Sequence, residues 1–341
     1  MQFTNFGRLT TLAAVAVSVL GTQLAAMADV TLSGAGATFP QALYERYARE
    51  IRKAHPDIKM NYQGVGSGGG IKQTIAGTVD FGASDSAMTD AEMAQVKGGV
   101  LLIPTAGGAV SVAYNLPGVK GLKLSNKALS GIFLGKITTW NDPAIVQDNK
   151  GLNLPSTAIK PVVRADGSGT AFIFTNHVSA ISPEFKGAVG ASRDPKWSSG
   201  FLKGKGNPGV AATVKQTPGG IGFMEYDFAL KNGLSSVAVQ NGSGKYVAPS
   251  LKAANQALSD IEFPANFRAF DINSKQGYPI VGMTWLLIPK VQKTPAKAQA
   301  VKTMVKWILT SGQQFNDDLS FTSVPSAVAQ RAISVVESSV K

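Results

Sequence analysis

The chain contains no cysteine, which excludes disulfides, a thiol nucleophile and thiolate metal ligation. Histidine is almost as scarce, with two among 341 residues, so imidazole metal centres and His-dependent triads have little to build on. Charged side chains make up only 16% against 44% hydrophobic, a balance that excludes disorder and low-complexity character. Acids are the rarer sign: 21 Asp and Glu face 33 Lys and Arg, a formal net charge of +12, and such a field draws anionic partners. No apolar run reaches the roughly 20 residues that span a bilayer. What the chain has is glycine, 37 residues, and enough length for two domains or one large α/β unit.

The first 28 residues read as a secretory signal peptide. One basic residue, Arg8, precedes the apolar run 12–20, and Ala26-Met27-Ala28 forms a small-residue cleavage site. Cleavage after Ala28 removes one base and no acid, so 33 − 1 − 21 leaves +11. Without cysteine there is no lipoprotein anchor. The expectation is a soluble bacterial protein exported to the periplasm, a place that argues against nucleic acid as partner.

From Asp29 on, strand and helix patterns alternate, which implies an α/β fold with mostly parallel sheets. Val30 to Ser33 alternates as a strand, Gly34-Ala35-Gly36-Ala37 reads as a turn, and Thr38 is a natural N-cap for the helix that follows. Phe39, Leu43, Tyr44, Tyr47, Ala48 and Ile51 recur at helical spacing on its apolar face. Residues 58–62 read as a strand, the glycine-rich 64–70 as a loop, 71–76 as a helix and 79–84 as a strand. Two long apolar runs, 109–115 and 279–288, are candidates for paired crossover strands. The expected organisation is a discontinuous first lobe, 29–106 with 280–341, and an inserted second lobe, 107–279.

Three loops share one design, a strand, a glycine-rich turn with a hydroxyl, and a helix start: Gly36-Ala37-Thr38-Phe39, Gly66-Ser67-Gly68-Gly69 and Asp166-Gly167-Ser168-Gly169-Thr170. Free N–H groups and the positive dipole end make each a potential anion cradle, although any one alone reads more readily as a plain helix cap, and it is the three together that favour the cradle. Arg164 adds a planar fork for two anion oxygens, and Asp166 is placed to lock it or merely to pair with it at the surface. Asp85 is the odd member. An ionised carboxylate is acceptor-only, so beside an anion it repels unless that anion carries a proton. Phosphate near neutral pH keeps a proton and sulfate has none, so this donor set with one Asp would accept phosphate and penalise sulfate. The plainer alternative makes Asp85 the N-cap of a helix over 87–96.

Sharper motifs fail on context. Gly64-Val65-Gly66-Ser67-Gly68-Gly69 satisfies G-x-G-x-x-G but lacks the surrounding dinucleotide-binding unit and its ribose-binding acid. Lys72 does not directly follow a glycine, so the phosphate loop of nucleotide hydrolases is absent. Ser168 lies outside G-x-S-x-G, and His55 and His177 read as structural. No run of Lys and Arg interleaved with aromatics marks a nucleic-acid surface.

Taken in order, several segments resemble the periplasmic phosphate-binding proteins of phosphate-specific ABC transporters. They are Gly34-Ala35-Gly36-Ala37-Thr38-Phe39-Pro40, Asn61-Tyr62-Gln63-Gly64, Val79-Asp80-Phe81-Gly82-Ala83-Ser84-Asp85, Leu134-Gly135-Lys136-Ile137 and Arg164-Ala165-Asp166-Gly167-Ser168-Gly169-Thr170. The resemblance covers essentially the whole chain after Ala28. It implies a two-lobed type II periplasmic binding protein, each lobe a mixed, mostly parallel sheet flanked by helices, joined by two crossover hinge strands. It places phosphate contacts on Thr38, Phe39 through its backbone N–H, Ser67, Asp85, Arg164, Ser168, Gly169 and Thr170, with Asp166 positioning Arg164. Gly68 departs from the pattern, standing where relatives often carry a second serine. Implied too are inorganic phosphate as ligand, with arsenate left open, an inner-membrane ABC permease as partner, a monomer, and no catalytic residue, metal or cofactor. Rival classes are a secreted enzyme acting on phosphate esters, a carrier of another oxyanion such as sulfate or molybdate, and an adhesin using the basic field.

Overall fold

The computed structural model describes residues 1–2, 29–270 and 273–341; the expected signal peptide therefore lies almost entirely outside the described residues. The sheet that organises the molecule is built from β1 (Val30–Gly36), β2 (Ile58–Gly64), β3 (Phe81–Ser84), β4 (Val100–Asn115), β5 (Lys160–Arg164), β6 (Leu202–Gly204), β7 (Gly220–Glu225), β8 (Ser235–Ser236) and β9 (Val281–Pro289). Its order is β2-β1-β3-β9-β4-β7-β5-β6, with β8 paired to β4. β1 runs parallel to β2 and β3, and β5 parallel to β6 and β7. β9 and β4 are antiparallel to each other, and each is antiparallel to its other neighbour in the order, β3 and β7. The result is two parallel groups flanking an antiparallel pair, a mixed α/β fold.

The β4–β9 pair is the joint between the groups. β4 pairs with β9 from Val100 to Ala109, then with β7 from Val110 to Asn115, so consecutive residues hand the strand from one group to the other. Both strands are buried almost throughout. Strands covered on both faces read as continuous apolar runs rather than alternating ones, which is why these two stood out in the sequence. β4 starts nine residues before the run that marked it.

The helices that matter for the site follow strands: α1 (Gln41–Ala54), α2 (Ser67–Ile75), α3 (Asp90–Met93), α4 (Gly169–Ile181) and α5 (Gly206–Gln216). α1 buries Leu43, Tyr44, Tyr47 and Ile51 completely, each contributing roughly 1.5–3 kcal/mol of gross apolar stabilisation. Phe174 stacks on Phe223 and meets Phe133 edge-on in the core beside the second group of strands. Among the described residues, no helix is long and apolar enough to cross a membrane.

Three local expectations are corrected. β1 continues through Gly36 instead of turning at Gly34, because Gly34 to Gly36 pair with both neighbouring strands. Thr38 is not a cap: α1 begins at Gln41 with Pro40 in the N-cap position and no side-chain cap bond. Pro40 has no N–H to give, and the Gln41 N–H goes to the Thr38 carbonyl at 3.4 Å, not to its hydroxyl. α2 begins at Ser67, not at 71, so the glycine-rich stretch is the helix's first turn.

Candidate functional site

The three hydroxyl-bearing junctions all sit where parallel strands end and helices begin, the edge at which open α/β sheets bind ligands. After β1, the Ala37 N–H donates to Ala83 O at 3.0 Å, leading the chain into Thr38 and Phe39, which are 3% and 0% exposed. The Phe39 ring packs edge-on against Phe321 at 5.5 Å, which fixes the backbone that carries its N–H. After β2, Gly66 turns the chain with φ 85°, a conformation that suits glycine. A β-carbon there would also lie 2.2 Å from Asp166 Oδ2. Ser67 follows as the first residue of α2, its N–H outside the intrahelical ladder.

Asp85 follows β3 directly and is 2% exposed. Its alternative role as a helix cap is contradicted: α3 is short and is capped by Thr89 in a reciprocal box with Glu92. The Asp85 carboxylate instead faces hydroxyls. Thr284 Oγ1 of β9 donates to Oδ1 at 2.9 Å, Ser67 Oγ donates to Oδ2 at 3.4 Å, and the Asp85 N–H donates to Ser67 Oγ at 3.2 Å. Burial pushes the carboxyl up to about 7, against the opposing pull of the Thr284 bond, the Arg164 charge and the Ser67 bond.

From the other group of strands, Arg164 ends β5 with its side chain 1% exposed. It forks onto Asp166, Nε to Oδ1 at 3.0 Å and Nη2 to Oδ2 at 2.5 Å. Arg164 is buried and Asp166 half-buried, so this is not the surface ion pair that was the plainer alternative. Burial alone would raise the Asp166 carboxyl, but Arg164 and the Gly206 N–H outweigh it and hold it below its ordinary value. Two of the five guanidinium N–H groups are thus used, leaving three of the fork for another acceptor. Ser168 caps α4, its Oγ accepting the Ala171 N–H at 3.0 Å while its own N–H donates to Arg193 O at 2.8 Å. Capping uses the oxygen as acceptor, so the Ser168 O–H remains a donor. Gly169 and Thr170 are the first two residues of α4, their N–H groups free of the helix ladder.

These junctions converge. A β-carbon on Gly169 would stand 2.5 Å from Ser67 Oγ and 2.7 Å from Asp85 Cβ, so α4's first residue lies against both. The Gly68 N–H donates to Gly167 O at 2.9 Å, and Gly68 Cα is close enough to Gly167 that an added Cβ would sit 3.3 Å from it. The departure from serine at Gly68 therefore falls where two backbones meet. Every sequence-predicted residue is at this meeting point or one covalent step from it.

Two further participants escaped the sequence reading. Thr284 holds Asp85 from a strand about two hundred positions away in the chain. Asn207, 0% exposed, lies in a fourth strand–glycine–helix junction, β6 to α5. Its N and Nδ2 donate to Thr38 Oγ1 at 3.0 and 2.9 Å, and Nδ2 also donates to Thr170 Oγ1 at 3.2 Å. The signal was present as Gly204-Lys205-Gly206-Asn207-Pro208, but an amide stands where the other three junctions carry a hydroxyl. The assembled set is N–H, O–H and guanidinium donors around one carboxylate, chemistry for holding an oxyanion. Among the described residues no group of three His, Asp or Glu is placed to hold a metal ion.

The comparisons with known proteins agree with that class. The sequence profile of the PBP superfamily domain matches residues 21–311. The Phosphate-binding protein PstS of Xylella fastidiosa (strain Temecula1) is 39% identical over 304 residues, covering 87% of this chain and 82% of that protein. The protein of the same name from Haemophilus influenzae is 39% identical over 318 residues, covering 92% and 94%. In fold, a high-affinity periplasmic phosphate-binding protein (PfluDING), solved bound with phosphate, superposes with a TM-score of 0.74 at 21% identity, covering 88% of this chain and 92% of that one. The fold is that of a type II periplasmic binding protein, and the family to which the relatives assign the chain is one of substrate-binding transport proteins, not of enzymes. Within the PBP superfamily, the chain belongs to the family of the PstS phosphate-binding proteins.

Proposed function

We propose that the protein captures inorganic phosphate in the periplasm and delivers it to an inner-membrane ABC permease. Thr38, Ser67, Arg164, Ser168 and Thr170 donate from side chains, Phe39, Gly169 and Thr170 from backbone N–H groups, and Asp85 accepts the proton that phosphate carries. Asp166 holds Arg164 in place. The observation that carries the reading is the burial of one carboxylate, Asp85, inside an otherwise all-donor site: a site for an unprotonated oxyanion has no use for it. No bond is made or broken, and arsenate, with the same shape and protons, fits the same contacts.

In this reading the chain is cleaved after Ala28 and acts as a monomer with two lobes, 29–106 with 280–341 and 107–279. The handover of β4 from β9 to β7 at Ala109 and Val110 supports a hinge there. Residues near 263–268 pack toward the first lobe, since Trp285 Nε1 donates to Phe267 O and Arg331 to Phe263 O and Pro264 O. Closure of the lobes would bury the anion between the junctions. The test is equilibrium dialysis of refolded, ligand-free protein against labelled phosphate, with a chromogenic phosphate ester assayed in parallel. One phosphate retained per chain with no ester turnover is the expected result; ester turnover or no retention would overturn the proposal.

A further inference from the structure

We propose that Asn207 is a positioning residue for the anion: it fills the acceptor sites of the Thr38 hydroxyl, and one of those of Thr170, so that both O–H groups are left to donate to the ligand. The inference rests on the phosphate-capture reading. A hydroxyl oxygen has two lone pairs and one proton. At Thr38 both lone pairs are met by N–H donors, the Asn207 backbone at 3.0 Å and its amide at 2.9 Å. The hydroxyl can then only give its proton, and an oxyanion is the acceptor that suits it. At Thr170 the same amide nitrogen occupies one lone pair at 3.2 Å.

The orientation of the amide is dictated by its other end. Asn207 Oδ1 accepts the Glu225 N–H at 2.9 Å; a flipped amide would set NH2 against N–H and an oxygen against the hydroxyls, which would draw the Thr38 proton away from the ligand. Glu225 is the β7 residue that faces Val110, where β4 changes partners. Asn207 is thus braced on the joint between the two strand groups while it reaches Thr38 beyond β1 and Thr170 in α4. It carries the geometry of that joint to two ligand-facing hydroxyls contributed by opposite groups.

The test is a double-mutant cycle of Asn207→Ala and Thr38→Val, with the phosphate Kd of each protein measured by calorimetry. Asn207→Ala in the otherwise wild-type protein is expected to weaken phosphate at least tenfold, and at least fivefold less in the Thr38→Val background, because the hydroxyl it orients most closely is gone and only its 3.2 Å bond to Thr170 is left to lose. Equal losses in both backgrounds, or no loss, would overturn the role of Asn207 while leaving phosphate capture intact. If Asn207→Ala does not fold, Asn207→Asp keeps the acceptor for the Glu225 N–H but takes the Thr38 proton for itself. It is expected to weaken phosphate and to recover part of the loss as the pH is lowered and the new carboxylate protonates. A pH-independent loss, or none, would overturn the proposal. A wild-type protein that binds no phosphate would overturn the functional reading and this one with it.

Discussion

Replacing Asp85 by Asn leaves the shape of the site nearly unchanged and removes its only acceptor charge. In the ligand-free wild type the carboxylate accepts from Thr284 at 2.9 Å and Ser67 at 3.4 Å; with phosphate bound, the single Ser67 proton turns to the anion and the proton of phosphate takes its place on Asp85. Asn can keep the Thr284 bond through Oδ1 while presenting NH2 to the anion. Phosphate loses one charge-assisted hydrogen bond, worth about 1.5–3 kcal/mol, and affinity falls by roughly ten- to a hundredfold. Sulfate moves the other way. To bind wild type at pH 8 it must first have Asp85 protonated, one pH unit above the carboxyl's value of about 7, a cost of about 1.4 kcal/mol that the substitution removes. The phosphate-to-sulfate preference should therefore collapse by about a hundredfold or more. Calorimetric titration of both ligand-free proteins with each anion at pH 8 reads the ratio directly. If the variant rejects sulfate as firmly as the wild type, selectivity does not come from Asp85 and the account of it is wrong.

The raised Asp85 carboxyl, at about 7, has two consequences. Its folded value exceeds the unfolded one of 3.8, so its contribution to the stability of the ligand-free protein is full below pH 4 and is lost as pH rises toward 7, by up to about 4 kcal/mol. Denaturant unfolding at pH 4 and pH 8 should show Asp85→Asn gaining on wild type at the higher pH; a constant difference would contradict this. A protonated Asp85 can also donate to sulfate, so wild-type sulfate affinity should fall about tenfold per pH unit above 7, whereas a flat profile in calorimetry would count against the screen. Arg164→Lys loses the two-pronged grip on Asp166 and the fork itself, and phosphate should weaken about a hundredfold, the value of two charge-assisted bonds, where a loss under threefold would remove Arg164 from the site. Gly169→Ala drives a methyl to within 2.5 Å of Ser67 Oγ and 2.8 Å of the Asp85 Cα, so phosphate binding should drop more than tenfold and the melting temperature of the ligand-free protein should fall with it; unchanged affinity and melting temperature would mean the junctions do not meet as described.

The elements that place the site were legible where local chemistry decides structure. The α1 face from Leu43 to Ile51 and the continuous apolar runs of β4 and β9 each follow from periodicity or burial alone. α2 was not, because three consecutive glycines in its first turn oppose helix by propensity. Tertiary packing imposes the helix there: an added Cβ on Gly70 would sit 2.6 Å from Gly36 Cα and from Ala83 O. Asp85 looked like a cap because spacing cannot show that Thr284 waits across the sheet. Asn207 escaped for a related reason. Its bonds to Thr38 span 169 residues, and its amide did not match the hydroxyl that marked the other three junctions. The donors could be found one loop at a time, while the residues that orient them become visible only when the loops meet.

The central claim, selective capture of a protonated oxyanion, is tested most directly by titrating refolded, ligand-free protein with phosphate in a calorimeter, with and without a large excess of sulfate at pH 8. The account predicts one phosphate per chain and an affinity that the sulfate barely changes. No phosphate heat, or displacement by sulfate at comparable concentration, would contradict it and return the junctions to the status of helix starts.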